Sequence, residues 1–84
     1  MPRAVSAGGS GSTRADAVEA LTPRQREVLL LIAQGLSNSE IEAELGITRA
    51  TCRSHITALL ARLGARDRAQ LVIAAYESGL ISPR

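Results

Sequence analysis

Helix-start signals recur four times along this chain, and a glycine follows each of them at the distance of one short helix. At the first signal, Thr22 can cap a helix that has Pro23 at its first position, while Gln25 can return a hydrogen bond to the cap. The remaining caps and the terminating glycines follow the same pattern: Ser37, Thr48 and Asp67, and Gly35, Gly46, Gly64 and Gly79. Since no alternating strand pattern competes with these signals, the sequence predicts an all-α fold, a four-helix bundle.

The first twenty residues differ in composition from the rest of the chain. They are rich in glycine and serine and hold almost no large apolar side chains. Such a segment cannot bury enough surface to offset the entropy that the chain loses on folding. We therefore expect residues 1–20 to form a flexible arm or linker and residues 21–84 to form one small domain.

Several classes of protein are disfavoured by what the sequence lacks. Cys52 is the only cysteine, which rules out an internal disulfide and suggests a reducing, cytoplasmic location. There is no apolar run of about 18 residues and no secretory signal, which argues against a membrane partner. Cys52 and His55 have no further ligands at zinc-site spacing, and no catalytic set of nucleophile and base is present. We therefore expect no metal, no cofactor and no enzymatic activity, and we interpret Cys52 as a small core side chain.

The turn between the second and third predicted helices is only three residues long, Gly46-Ile47-Thr48. It is too short for the two helices to lie comfortably antiparallel. It suits a steep crossing in which Ile47 points inward and Gly46 adopts the left-handed conformation. The bundle is therefore predicted to contain a helix-turn-helix.

One face of the predicted third helix is suited to approach a nucleic-acid duplex. Its apolar side chains fall within one arc, which must face the core: Cys52, Ile56, Leu59, Leu60 and Leu63. The opposite face carries small residues and no acid: Ala50, Ser54, Thr57, Ala58 and Ala61, flanked by Arg53 on one side and by Thr51 and His55 on the other. Small side chains let a helix approach base edges closely, and arginine can pair with guanine. The alternatives are that Arg53 is an ordinary solvated residue and that His55 packs at the edge of the core.

The same residues closely resemble a known family, the LuxR-type helix-turn-helix domain, which is the DNA-binding output domain of NarL/FixJ response regulators and of quorum-sensing regulators. The resemblance covers residues 21–81 and is carried by LTPRQREVL at 21–29, AQGLSNSEI at 33–41, GIT at 46–48, TCRSH at 51–55, LG at 63–64 and AYESGL at 75–80. It implies a four-helix domain that binds double-stranded promoter DNA as a homodimer.

The resemblance also implies roles for individual residues. In this family the third helix, here about residues 49–63, reads the major groove, so base contacts are expected from Arg53, Ser54 and Thr57. Phosphate or positioning contacts are expected from the remaining members of the DNA-binding set: Thr51, His55, Asn38 and Arg49.

The fourth helix, about residues 68–78, is the usual dimer contact of the family. We assign its core-facing stripe to the larger side chains, namely Ala69, Val72, Ile73, Tyr76 and Leu80. This assignment leaves an outer face that suits a close two-fold crossing, with the predicted dimer residues Leu71, Ala74, Ala75 and Ser78.

Two positions depart from the family pattern. Cys52 stands where valine is usual, which is a small change of volume. Glu42 stands where a small residue normally faces the recognition helix, so its side chain is expected either to swing outward or to pair with an arginine such as Arg53. Such a pairing would occupy a side chain that is expected to read DNA.

Two other functions stay open at this point. The fourth helix could dock a receiver or sensor domain, which would make the chain a protein-interaction module. The chain could also be a sigma-factor promoter-recognition domain, whose partner is RNA polymerase and whose helix-turn-helix follows a start similar to LTPR at 21–24. Ser54-His55 and the ending at residues 76–80 argue against this alternative. Because the chain carries no sensory domain, we expect either the excised output half of a larger regulator or a small stand-alone one.

Overall fold

A computed structural model describes residues 15–82, and all regular secondary structure within that range is helical. Residues 15–19 form α1, and four longer helices follow: α2 Pro23–Ala33, α3 Asn38–Leu45, α4 Arg49–Leu63 and α5 Arg68–Glu77. This architecture confirms the predicted all-α bundle with a helix-turn-helix. No helix in the described range has the length and apolar character needed to span a bilayer.

Local hydrogen bonds start the helices where the sequence predicts. The hydroxyl oxygen of Thr22 accepts from the Gln25 amide at 3.1 Å, and the Gln25 side-chain oxygen accepts from the Thr22 amide at 3.1 Å. Ser37 and Glu40 form the same reciprocal pair at the start of α3, at 3.2 and 2.7 Å. These bonds satisfy backbone donors that have no partner within the helix, so both helix starts are stabilised by residues three positions apart.

The turn from α3 to α4 has the predicted conformation. Gly46 adopts the left-handed region, with φ 65° and ψ 39°, and the amide of Ile47 donates to the Glu42 carbonyl at 3.1 Å. Ile47 is half-buried against the core. A turn of so few residues directs α4 across α3 and not antiparallel to it, which is the helix-turn-helix arrangement.

The core lies around α2, which contacts α3, α4 and α5. Its Val28, Leu29 and Ile32 are buried in one cluster that also contains residues of α1, α3, α4 and α5 and of the segment before α2. The remaining buried members of this cluster are Val18, Leu21, Ile41, Cys52, Leu59, Leu63, Leu71, Ala74 and Ala75. The side chains of α4 that face α2 are therefore withdrawn from solvent.

The predicted flexible arm, residues 1–20, is wrong for its last six residues, and residues 1–14 lie outside the described range. Val18 and Leu21 are each only 4% exposed and belong to the core. The Arg26 guanidinium donates to the carbonyl of Glu19 at 2.8 Å and to that of Leu21 at 3.4 Å, which ties the segment to α2. Val18 and Leu21 are joined by the turn that follows α1, in which the Leu21 amide donates to the Val18 carbonyl at 3.2 Å. The polar composition of the first twenty residues as a whole did not reveal this apolar pair.

The predicted orientation of α5 is also wrong. Leu71, Ala74 and Ala75 have no exposed surface and lie in the core, whereas Ile73 and Tyr76 are 49% and 41% exposed. Ser78, the fourth predicted dimer residue, is half-buried, and its hydroxyl donates to the Ala75 carbonyl at 3.2 Å. The apolar stripe runs through positions spaced by three and four residues, and small alanines let α5 lie close to α2. Three of the four residues assigned to a dimer face are therefore not available to a partner, and Ser78 is only partly exposed.

Candidate nucleic-acid interface

The outer face of α4 is accessible along its whole length. Spacings of four, three and four residues place one row of positions opposite the buried side of the helix. The exposed members of this row are Ala50, Ser54, Thr57 and Ala61, and Arg53 is exposed beside them. We call these five residues the reading face. It contains no acid and no large apolar side chain, so nothing on it hinders the approach of a polyanion.

The buried side of α4 holds that face outward. Cys52, Leu59 and Leu63 are buried, and Ile56 and Leu60 are half-buried against the core. This matches the predicted core arc of the helix. Because four turns of α4 are seated by these contacts, the reading face has a fixed direction relative to the rest of the domain.

The start of α4 presents hydroxyl and amide donors. The Thr48 hydroxyl oxygen accepts from the Thr51 amide at 3.1 Å, and the Thr48 hydroxyl lies 3.0 Å from that of Thr51. When Thr48 donates in that pair, the Thr51 hydroxyl proton stays available for an outside acceptor. Thr51 is exposed, as is Arg49 at the first position of the helix. The positive end of the helix dipole adds to the attraction for an anion here.

Arg53 is free to act outside the chain. It is exposed, and no carboxylate within residues 15–82 forms an ion pair with it. In particular, the expected pairing with Glu42 is not formed. Glu42 is half-buried, and its charge adds to burial in raising the pKa of Cys52.

Cys52 is a core side chain, as interpreted from the sequence. It has no exposed surface, and its Sγ lies 4.0 Å from the Asn38 carbonyl oxygen. Burial raises the pKa of this thiol, Glu42 raises it further, and Arg68 partly opposes them. A neutral buried thiol is a poor nucleophile, so Cys52 serves to pack α4 against α3.

His55 and Asn38 occupy the edges of the candidate interface. His55 is half-buried on α4, and no hydrogen bond joins its ring to another residue of the described range. Asn38 is exposed at the first position of α3, beside the first turn of α4. Its side-chain oxygen accepts a 2.6 Å hydrogen bond from Arg68. The sequence carries no local signal for this contact, because the two residues are 30 positions apart.

Comparison with known proteins identifies the family of this chain. A family model described as bacterial regulatory proteins, luxR family, matches residues 19–75, which is more than half of the chain. Proteins named response regulator protein VraR, from Staphylococcus aureus, Staphylococcus saprophyticus and Staphylococcus epidermidis, are each 46% identical to it over 68 residues. The match covers 81% of this chain but 32% of each relative, so the chain spans about a third of their length. The predicted resemblance is confirmed: the chain belongs to the luxR family of bacterial regulatory proteins.

Proposed function

We propose that this chain binds double-stranded promoter DNA as the output domain of a bacterial response regulator, with α4 seated in the major groove. Membership of the luxR family makes it a DNA-binding regulatory domain. The observation that carries the finer proposal is the reading face of α4, which is accessible, small and free of acid while the opposite side of the helix is buried. A major groove admits one α-helix, and only a helix with small side chains brings its backbone close to the bases.

The exposed side chains divide into base and phosphate contacts by their reach and chemistry. Arg53 has the donors to pair with a guanine, and the hydroxyls of Ser54 and Thr57 reach neighbouring base edges. Phosphate contacts come from the groups around the start of α4 and at its edge: Arg49, Thr51, Asn38 and His55.

Selection of bound duplexes from a randomised pool tests this proposal and supplies a target sequence. Arg53→Ala should then weaken binding to that target by about 1–3 kcal/mol and relax the preference at one base pair. Arg24→Ala is the matched control, because it removes the same charge from α2, where Arg24 already pairs with Glu27 at 3.4 Å. Unchanged selectivity in Arg53→Ala would remove Arg53 from base reading, and failure of the unaltered chain to enrich any sequence would refute the proposal.

Counterion release provides a second test. Replacing Arg49 with glutamine should weaken binding to all duplexes about equally and reduce the slope of log affinity against log salt by about one. A change confined to one sequence would instead indicate that Arg49 reads a base.

We further infer that the domain binds DNA as a homodimer through the exposed side of α5, which carries Ile73 and Tyr76. These are the two large apolar side chains that the described part of the chain leaves strongly exposed, and they lie three residues apart on one helical face. A contact between two copies of this face around a two-fold axis would bury all four side chains, whereas Leu71, Ala74 and Ala75 of the set predicted from the sequence are already in the core.

Sedimentation on a duplex that carries an inverted repeat of the selected sequence tests the homodimer. Two copies should bind cooperatively, and Ile73→Ser should abolish the cooperativity while leaving binding to a single half-site unchanged. Independent binding of two copies by the unaltered chain would refute the dimer. The protein-docking alternative has a different signature: added duplex would then leave the backbone amides of α4 unshifted, while a receiver domain would shift those of α5.

A further inference from the structure

Arg68, the first residue of α5, connects the helix-turn-helix to the last helix of the domain. One guanidinium nitrogen, Nη1, donates to the side-chain oxygen of Asn38 at 2.6 Å, and the other, Nη2, donates to the Leu36 carbonyl at 2.5 Å. The guanidinium thus bridges two acceptors that flank Ser37, the cap of α3. Arg68 is half-buried, and no ion pair joins it to a carboxylate within residues 15–82.

This contact determines which way the Asn38 amide faces. A guanidinium has donors and no acceptor, so the atom of Asn38 that meets it must be the carbonyl oxygen. The amide nitrogen, Nδ2, therefore lies on the opposite branch of the planar group. No hydrogen bond from Nδ2 to a residue of the described range accompanies the Arg68 contact, and Asn38 is exposed.

The start of α3, which carries Asn38, lies against α4. The Asn38 backbone carbonyl is 4.0 Å from Cys52 Sγ, which brings the start of α3 against the first turn of α4. The exposed Thr51 precedes Cys52 in that turn. A duplex held by the reading face would have a phosphate strand passing the beginning of both helices, where an amide N–H is a suitable donor.

We propose that Arg68 is a positioning residue for DNA binding: it fixes the Asn38 side chain so that Nδ2 donates to a backbone phosphate. This inference rests on the proposed DNA-binding function. An amide that is already held in its bound orientation loses less side-chain entropy when the phosphate arrives, and the fork of arginine, unlike a lysine ammonium, holds both Asn38 and Leu36 in one plane. Arg68 acts through Asn38 and does not itself touch DNA.

A double-mutant cycle with Arg68→Lys and Asn38→Ala tests this role, using the full chain and a fluorescent mixed-sequence duplex at low salt. Lysine keeps the charge but loses the fork. Arg68→Lys should lower the affinity about tenfold, which corresponds to the loss of one hydrogen bond to a charged acceptor. In the Asn38→Ala background the same substitution should have no further effect on affinity. An equal loss in both backgrounds would show that Arg68 acts independently of Asn38, by bracing the fold, and would overturn the proposal.

The side-chain amide signals of Asn38 give a second measurement that does not depend on the folding of any variant. In the unaltered chain, the Nδ2 protons should shift strongly and exchange more slowly with solvent when the duplex is added. If the α4 amides respond to the duplex and the Asn38 Nδ2 protons do not, the positioning role is refuted while DNA binding stands. If neither responds and no binding is measured, the proposed function itself fails.

Discussion

Truncation of Leu71 tests how α5 is seated in this domain. Leu71 has no exposed surface and lies in the cluster formed mainly by α2, α4 and α5. Leu71→Ala removes buried methyl groups and leaves a cavity, which in other proteins costs about 2–5 kcal/mol. The total unfolding free energy of so small a domain is on the order of 5 kcal/mol. We therefore expect the variant to lose about half of its stability or more.

The neighbouring Ile73 provides the matched control on the same helix. It is 49% exposed, so Ile73→Ala gives up only part of a contact, and alanine favours the helix more than isoleucine does. The expected cost is below about 1 kcal/mol. In urea unfolding followed by circular dichroism, Leu71→Ala should unfold at a much lower urea concentration than Ile73→Ala, with an unchanged slope of free energy against urea concentration. In thermal unfolding the melting temperatures of the two variants should differ by about 4 °C or more, since their costs differ by at least about 1 kcal/mol and 1 kcal/mol corresponds to about 4–8 °C in a domain of this size.

The variant that loses more unfolding free energy shows which side of α5 is buried. If Ile73→Ala were as costly as Leu71→Ala, or more so, the buried stripe would run through the larger side chains instead. The reasoning from burial would then be refuted, together with the proposed dimer face.

Three further predictions concern the helix-turn-helix. Gly46→Ala should lower the unfolding free energy by about 1–2 kcal/mol, because alanine disfavours the left-handed backbone of this position. An added Cβ would meet no atom within 4 Å, so no clash adds to this cost. Gly46→Asn should cost less, and equal melting temperatures for the alanine variant and the unaltered domain would contradict the argument. Glu42→Ala should raise the melting temperature or tighten duplex binding, since it removes a half-buried carboxylate that pairs with no arginine in the described range. A variant with unchanged melting temperature and unchanged binding would show that Glu42 is not unfavourable at this position. The unfolding free energy of the unaltered domain should fall as the pH rises through the raised pKa of Cys52, because the thiol ionises at lower pH in the unfolded chain than in the folded domain. In urea titrations at alkaline pH, Cys52→Val should show a smaller fall of stability with pH. An equal fall in both proteins would count against the burial of the thiol.

The sequence by itself determined where the helices begin and end. The caps at Thr22 and Ser37 act on amides three residues away, and Gly46 ends α3 through its own backbone, so none of these signals depends on distant parts of the chain. The core side of α4 could also be predicted from the sequence, because its 15 residues cover four turns and mix large apolar side chains with small polar ones. The reading face followed directly as the remainder of that helix.

The tertiary structure alone decided which side of α5 is buried and which side chains form hydrogen bonds between distant helices. Seven of the ten residues of α5 are apolar, six of them consecutive, so its pattern favours no single face. Close packing against α2 selects the side with Ala74 and Ala75 over the side with Ile73. The Arg68–Asn38 contact is a long-range pairing between surface residues, which no local rule predicts. Helix boundaries follow from bonds within a few residues, whereas the choice of face and partner depends on the shapes that distant segments present to each other.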